Sequence, residues 1–268
     1  MTRQQLIEQI YTKQSYLCVG LDTDLSKIPP HLLLQDDPVF AFNKSIIDAT
    51  QDLCVSYKIN TAFYEAMGLA GWQAMQKTVQ YIGNNHLTIA DAKRGDIGNT
   101  STQYAKAFYE ALPFDAITVA PYMGEDSVKP FLEYADKWTI VLGLTSNTGA
   151  KDFELQTCGS QLLYEKVLQT VATWGTPNNL MFVIGATQAS EFVNIRKIAP
   201  QHFFLVPGVG FQGGSLKDIS ETALIAKECG LLVNASRAII YASSKEDFAT
   251  EARAIAYQYQ QEMAGYLK

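Results

Sequence analysis

The chain has 268 residues, of which 47% are hydrophobic and 18% are charged, and its net charge is −6 at pH 7. This composition is typical of a globular protein and excludes a disordered chain. The negative charge argues against a surface that binds a nucleic-acid backbone, so we expect no nucleic-acid partner. Any anionic ligand has to be bound by local positive groups.

The cysteine pattern and the N-terminus bear on the compartment. Four cysteines are scattered without a CxxC pair, which argues against a zinc site and a disulfide framework. Arg3 and Glu8 interrupt the apolar residues of the N-terminus, so it does not resemble a signal peptide. No apolar run approaches the ~18 residues that span a bilayer. These features predict a soluble cytoplasmic protein with no membrane partner.

The first predicted elements are a helix and a strand. Apolar side chains recur at helical intervals over residues 4–14, which predicts a short helix that caps one end of the fold. An apolar run over 15–22 then ends in Asp22. Three prolines predict a long loop over 23–38, and helical spacing resumes near Val39.

The rest of the chain repeats this alternation of apolar runs and helix-like stretches. About eight runs occur, at 15–22, 55–60, from Leu87 onward, 116–121, 138–145, 180–187, 202–208 and 231–237. Near-continuous apolar strands separated by helices indicate a parallel sheet covered by those helices. The count predicts an α/β fold, a single (β/α)₈ TIM barrel over residues 1–268. A doubly wound open sheet is the alternative, and the barrel is favoured because polar residues follow nearly every strand, where barrel active sites lie.

The longest irregular segment after the first covers residues 146–159, directly after the fifth strand. A loop of this length in a compact domain is usually a lid or a binding loop. We therefore expect it to border the functional site.

A charged cluster ends the strand that begins at Leu87. Side chains alternate along a strand, so Asp91 and Lys93 face the same side. Asp96 follows Gly95, where the chain can turn and bring a second carboxylate to the same place or to another subunit. Unit charges about 4 Å apart at an effective dielectric near 20 interact by roughly 4 kcal/mol, enough to hold the lysine between two acids. A surface salt-bridge cluster worth about 0–1 kcal/mol is the alternative.

Histidine chemistry is not expected. His86 and His202 precede or open their strands, at the end opposite the polar strand ends, and His31 lies in the proline-rich loop. Imidazole catalysis and a histidine metal site are therefore disfavoured, and we expect no metal.

Lysines are the remaining candidates for chemistry. Lys58 and Lys93 end adjacent predicted strands, so both can face one pocket together with Asp22, Asp91 and Asp96. Lysine is seldom buried unless it is paired. Two lysines beside acids at strand ends therefore indicate a specific site.

The loops after the seventh and eighth strands predict a phosphate site. The first covers residues 207–214 and contains four glycines, and the second begins with Ser236 and Arg237. Barrels often bind phosphate with these two loops. Glycines expose backbone N–H groups to an anion, and arginine offers a planar pair of donors.

The segment 91–100, DAKRGDIGNT, resembles the signature of the orotidine 5′-phosphate decarboxylase family. Flanking motifs agree in order and spacing across almost the whole chain, at 19–22, 58–60, 62–65, 145–147, 207–210, 212–214 and 236–239. The length and the LCVGLD opening are similar to the longer bacterial subgroup. Two positions depart from it, because Ile59 stands where that subgroup often has proline and Ser236 stands where many members have glycine.

The resemblance implies a homodimer, without cofactor or metal, that converts orotidine monophosphate (OMP) to UMP and CO₂ in pyrimidine biosynthesis. It implies that Lys93 is the proton donor beside Asp91, and that Lys58 links this charge array to the ribose. Asp96 and Thr100 would reach into the neighbouring subunit's site. The implied substrate-binding residues are Asp22, Asn60, Thr100, Ser146, Pro207, Gln212, Gly213, Gly214, Ser236 and Arg237.

Three other functions remain open from the sequence. A Mg²⁺-dependent sugar-phosphate decarboxylase or synthase of the same superfamily shares the Asp-x-Lys-x-x-Asp pattern. A Schiff-base aldolase would use Lys58 or Lys93 as its nucleophile. A non-catalytic phosphonucleotide-binding protein would keep Arg237 and the glycine loop, but binding alone requires no array of Asp91, Lys93 and Asp96.

Overall fold

A computed structural model describes residues 1–209 and 213–267, with only the backbone of residues 188 and 189. Its strands are β1 Leu17–Gly20, β2 Ser56–Asn60, β3 Leu87–Arg94, β4 Ala116–Val119, β5 Trp138–Leu144, β6 Thr157–Cys158, β7 Gln161–Leu162, β8 Leu180–Ile184, β9 Phe203–Pro207 and β10 Leu231–Ala235.

Eight of these strands form one closed parallel barrel, in the order β1-β10-β9-β8-β5-β4-β3-β2. Each predicted apolar run contains one barrel strand. The predicted (β/α)₈ barrel is therefore confirmed, and the doubly wound open sheet is wrong. Every residue of β8 and β10 is buried, as expected for strands whose two faces are both covered.

The helices lie between the strands and at the two ends of the chain. They are α1 Arg3–Lys13, α2 Pro38–Thr50, α3 Thr61–Glu65, α4 Gly68–Ile82, α5 Gly98–Lys106, α6 Glu125–Leu132, α7 Leu163–Val171, α8 Phe192–Ile198, α9 Leu216–Ala223, α10 Arg237–Ile240 and α11 Phe248–Ala264. No helix within the described ranges is long and apolar enough to cross a membrane.

Helix α1 lies at the amino-terminal ends of the barrel strands. Arg3 donates hydrogen bonds to the carbonyl oxygens of Pro177 and Gln201, both at 2.8 Å, and these residues shortly precede β8 and β9. The indole N–H of Trp138, the first residue of β5, donates to the carbonyl oxygen of Met1 at 2.8 Å. The opposite, carboxyl-terminal end of the barrel remains available for a ligand.

Two segments that the sequence predicts to be loops contain short ordered elements. Residues 23–38 include 3₁₀ turns at Leu25–Lys27 and Pro30–Leu34. The Asp24 side chain caps the first turn by accepting a hydrogen bond from the Ser26 N–H, and Pro30 begins the second. Residues 146–159 include a 3₁₀ turn at Thr148–Asp152 and the strand β6, which pairs antiparallel with β7. The expectation of an irregular loop after β5 was therefore wrong in part.

Candidate active site

A buried lysine joins two carboxylates at the carboxyl ends of β1, β2 and β3. The parallel register places Lys58 opposite Gly20 and places Asn60 opposite Asp91. The Lys58 Nζ lies 2.9 Å from Asp91 Oδ2 and 3.4 Å from Asp22 Oδ1. Lys58 is only 4% exposed, so both carboxylates meet its charge with little water between them.

These contacts shift the pKa values of both partners in opposite directions. Burial by itself lowers the pKa of Lys58, but the nearby carboxylates of Asp22 and Asp91 outweigh burial and raise it above its ordinary value. Burial raises the pKa of Asp91, but Lys58 and Lys93 outweigh burial and hold it well below its usual range. Lys58 and Asp91 are therefore both charged at neutral pH.

Lys93 binds the other oxygen of the same carboxylate. Its Nζ lies 2.6 Å from Asp91 Oδ1, while 51% of the Lys93 side chain is exposed. The pairing of β3 with β4 is irregular between Ala90 and Arg94, and Lys93 has a left-handed backbone with φ of 47°. Regular strand alternation is thus interrupted, and the left-handed residue still brings its amine back to Asp91.

Thr118 on β4 fixes this irregular backbone. Its Oγ1 accepts a hydrogen bond from the Lys93 N–H at 2.9 Å and donates to Asp91 Oδ1 at 3.1 Å. The sequence analysis did not include Thr118. A threonine inside the otherwise apolar strand β4 is the signal that could have identified it.

Asp96 and Thr100 lie just after β3, in the loop and the first turn of α5. Asp96 Oδ1 accepts a hydrogen bond from the adjacent Ile97 N–H at 2.8 Å, and the Thr100 side chain is exposed. Among the contacts of the described residues, the Lys93 ammonium pairs with Asp91 and not with Asp96.

A cavity of about 160 Å³ extends from the charged cluster to the ends of β9 and β10. Its lining includes Lys58 and Asp91 of the cluster, the five predicted binding residues Asp22, Asn60, Pro207, Ser236 and Arg237, and also Gly208, Val209, Asn234 and Ala238. This volume is below the ~300–1,000 Å³ of usual small-molecule pockets, so a nucleotide would also extend beyond it. Asn234 was not predicted, although a polar residue within the apolar strand β10 could have indicated it.

Ser236 is compatible with its position at the start of α10. Its φ of −116° requires no glycine. The Ser236 hydroxyl donates to the carbonyl oxygen of Gly20 at 3.1 Å. A Cβ on Gly20 would lie 2.7 Å from the Ser236 Cβ. The end of β1 can therefore approach Ser236 closely because residue 20, and not residue 236, is a glycine.

The glycine-rich loop after β9 folds back on itself. Gly208 and Gly213 have φ of 98° and 87°, and the Gly214 N–H donates to the carbonyl oxygen of Gly208 at 3.3 Å. A Cβ on Gly214 would lie 2.3 Å from the Ala186 Cβ, so only glycine fits there. The predicted residue Gln212 lies outside the described residues.

Ser146 follows β5 and is half-buried, but it does not line the cavity that contains Lys58 and Arg237. A Cβ on Gly185 would lie 2.6 Å from the Ser146 N, so the two strand ends pack closely. The preceding Thr145 donates through its N–H to Glu154 Oε2 at 2.6 Å, and through its hydroxyl to Glu154 Oε1 at 2.8 Å. Glu154 thereby ties the segment after β5 to the strand end beside Ser146.

His86 and His202 lie at the amino-terminal end of the barrel, away from this cavity. Both side chains are buried, and burial lowers the pKa of each imidazole to about 4. Within the part of the chain that the structure describes, no three His, Cys, Asp or Glu side chains group as ligands for a metal ion.

Comparison with known proteins gives one family. The family model described as "Orotidine 5'-phosphate decarboxylase / HUMPS family" matches residues 15–255. The orotidine 5′-phosphate decarboxylase of Flavobacterium johnsoniae is 60% identical over 267 residues, which cover 98% of this chain and 97% of that protein. The enzyme of the same name from Christiangramia forsetii is 58% identical and covers 100% and 99% of the two chains.

Solved structures agree with these relatives. The OMP decarboxylase of Leishmania donovani superimposes with a TM-score of 0.83 at 33% identity and covers 99% of both chains. The UMP synthase of Leishmania donovani also gives a TM-score of 0.83, at 36% identity. This match covers 96% of the present chain but only 56% of the UMP synthase, so the likeness concerns that part alone.

Proposed function

Because the chain belongs to the orotidine 5′-phosphate decarboxylase family, we propose that Lys58, Asp91 and Lys93 form the catalytic centre at which OMP loses CO₂. The chain is a carboxy-lyase that converts OMP to UMP. The observation that carries the assignment of the centre is the shared carboxylate, since Asp91 binds a buried lysine on one oxygen and a half-exposed lysine on the other.

The chemistry requires electrostatic stabilisation. Departure of CO₂ from C6 leaves an electron pair in an sp² orbital that the pyrimidine ring cannot delocalise. A fixed ammonium aimed at C6 stabilises that charge without reorganising, which is usually the largest catalytic contribution. Lys93 is held in place by Asp91 and by the Thr118 hydroxyl at its backbone N–H, and it then donates the proton to C6.

Lys58 and Asp22 extend the charge array toward the ribose. Lys58 is enclosed and paired with two acids, so it keeps the Asp91 carboxylate ionised and oriented. Asp22 lies at the cavity wall, where the carboxylate oxygen that does not face Lys58 can accept a hydrogen bond from a ribose hydroxyl. Asn60, at the end of the same strand as Lys58, completes this side of the site.

The phosphate lies at the ends of β9 and β10. Arg237 at the start of α10 offers charged donors, and Pro207, Gly208 and Val209 line the same end of the cavity. Gly213 and Gly214, further along the glycine-rich loop, would offer backbone N–H groups to the phosphate. Ser146 would contact the amide edge of the pyrimidine ring, and Gln212 would bridge the ring and the phosphate. Binding of a remote phosphate positions the reacting ring and lowers the barrier as well as KM.

We also propose that the chain works as one domain and as a homodimer. Thr100 is exposed and Asp96 is half-buried beside β3, and Lys93 of the same chain pairs with Asp91 instead, which supports a role for both residues in a neighbouring subunit's site. Four cysteines without disulfide bonds support a reducing, cytoplasmic location.

The test is an absorbance assay that follows OMP loss by the purified chain in excess EDTA. Undiminished decarboxylation is expected. Loss of activity on chelation, restored by Mg²⁺, would instead support the metal-dependent sugar-phosphate enzyme. Trapping of a lysine adduct by borohydride in the presence of OMP would support the Schiff-base enzyme and refute the role given to Lys93.

A further inference from the structure

Tyr241 connects the backbone beside Asp22 to the helix that begins at Arg237. It is the residue directly after α10, and its N–H donates to the carbonyl oxygen of Arg237 at 3.3 Å. Its hydroxyl donates to the carbonyl oxygen of Asp22 at 3.0 Å and accepts from the N–H of Asp24 at 2.7 Å. One hydroxyl thus spans both sides of the turn after β1.

The ring of Tyr241 is itself fixed by packing. It stacks on Phe42 of α2, with ring centroids 5.9 Å apart and an interplanar angle of 23°. Phe42 stacks in turn on Phe248 of α11, at 5.2 Å and 15°. The Lys27 ammonium lies 5.4 Å from the centroid of the Tyr241 ring. These ring contacts hold the Tyr241 hydroxyl in a fixed position. Tyr241 does not line the cavity.

The hydroxyl has a stable protonation state. Burial raises the pKa of Tyr241 to about 12, so the group remains a donor over the whole neutral range. Both hydrogen bonds are made with the backbone, at the Asp22 carbonyl and the Asp24 N–H, so they fix the position of the backbone from which the Asp22 side chain extends. The Asp22 carboxylate in turn lies 3.4 Å from the Lys58 ammonium.

Resting on the function proposed above, we propose that Tyr241 is a positioning residue, which fixes the backbone of Asp22 relative to α10 and acts on decarboxylation through the Asp22 carboxylate. The phosphate end of the site and the ribose end of the charge array are then set by one side chain. Tyr241 touches neither the cluster of Lys58, Asp91 and Lys93 nor the cavity, so its influence has to pass through Asp22.

The test compares Tyr241→Phe with Tyr109→Phe in the full chain, with OMP as substrate. Tyr109 is the matched control, because it is buried and its hydroxyl donates a hydrogen bond at 2.9 Å to the carbonyl oxygen of Trp138, at the far end of the barrel. Tyr241→Phe is expected to lower kcat/KM by about 2- to 10-fold, mostly in kcat. Tyr109→Phe is expected to leave kcat/KM unchanged.

A double-mutant cycle with Asp22→Asn separates positioning from a general structural effect. If Tyr241 acts through Asp22, Tyr241→Phe should change kcat/KM by less than about 1.5-fold once Asp22 is replaced. The proposal is overturned if Tyr241→Phe lowers kcat/KM equally with and without the Asp22 substitution. A Tyr241→Phe variant with the wild-type kcat, or one that does not fold, also overturns it. An inactive wild-type chain would instead refute the proposed function, and full activity of Asp22→Asn would refute the role given to Asp22.

Discussion

Lys58 and Lys93 bind opposite oxygens of one carboxylate, that of Asp91, at 2.9 and 2.6 Å. Their environments differ sharply, since 5% of the Lys58 side chain is exposed against 51% of the Lys93 side chain. The enclosed lysine holds the carboxylate, and the open lysine can meet a ligand. The two amines therefore have different expected mutant phenotypes.

Lys93→Ala should abolish product formation and leave UMP binding intact. Loss of the proposed proton donor and of its fixed charge should lower kcat by at least about 10⁴-fold. The absorbance assay gives the rate, and calorimetric titration gives the UMP affinity. Lys44→Ala is the control, because Lys44 lies on α2 and pairs with Asp48 at the surface. Normal turnover in Lys93→Ala would refute the role of the amine.

Asp91→Asn should destabilise the folded chain and also abolish its activity. The substitution leaves the buried Lys58 ammonium with only the 3.4 Å contact to Asp22, and breaking such a buried pair costs about 3–5 kcal/mol. Urea unfolding measures the loss. Asp52→Asn, which breaks an exposed pair with Arg253, should cost only about 0–1 kcal/mol. Equal losses in the two variants would contradict the buried-pair interpretation.

Arg237→Ala should lower kcat/KM by about 10²- to 10⁴-fold, because the variant loses the proposed charged, two-donor contact with the phosphate. Millimolar guanidinium should restore part of the activity by occupying the vacated position. Arg253→Ala, a surface variant, should show neither the loss nor the rescue. Absence of rescue at any guanidinium concentration would count against a phosphate contact through this side chain.

Mixing two inactive variants tests the proposed sharing of sites between subunits. Lys93→Ala and Asp96→Ala chains combined at equal amounts should recover about a quarter of wild-type activity, because half of the dimers are mixed and each has one intact site. Lys93→Ala mixed with Asp91→Asn should recover nothing, since both residues belong to the same chain's site. If the activity of the mixture equals the sum of the activities of the two variants measured separately, the shared site is refuted.

The two buried histidines predict a loss of stability in mild acid. Because burial lowers the pKa of each to about 4, the unfolded chain binds more protons than the folded chain below pH 6.5. The free energy of unfolding should then fall by about 1.4 kcal/mol per pH unit for each histidine between pH 6.5 and 4. Urea unfolding at pH 7 and pH 5 measures this slope.

His202→Phe provides the control for this slope. Neither ring nitrogen of His202 has a hydrogen-bond partner among the described residues, and the ring packs against Phe182 with centroids 5.4 Å apart. The variant should show about half of the wild-type acid sensitivity. An unchanged slope would assign the acid sensitivity to other groups.

The barrel was predictable because most residues of the barrel strands are buried, so that nearly every strand appears as a near-continuous apolar run. The ends of those strands also located Lys58, Asp91 and Arg237 at one rim. The small β6 and β7 pair was not predictable, because strands of two residues carry no periodic signal. The hydrogen bond from the Leu163 N–H to the carbonyl oxygen of Gln156 extends this hairpin by one more pair.

The contact between Lys93 and Asp91 was expected from simple alternation along β3, but the structure forms it differently. The strand is irregular before Arg94, and Lys93 has a left-handed backbone. Such irregularity depends on the neighbouring strand, here on the Thr118 hydroxyl, and one strand's sequence does not encode it. The positions of Asp96 and Thr100 relative to a second chain likewise cannot be obtained from periodicity.

The left-handed backbone at Lys93 has an evolutionary consequence. A side chain there costs roughly 1 kcal/mol or more relative to glycine, whose backbone adopts this conformation freely. Selection for folding stability alone would favour glycine at position 93. A duplicated gene whose product is no longer selected for enzymatic activity should therefore lose this lysine early. A duplicated copy that keeps the lysine would indicate that its product still needs the amine for its activity.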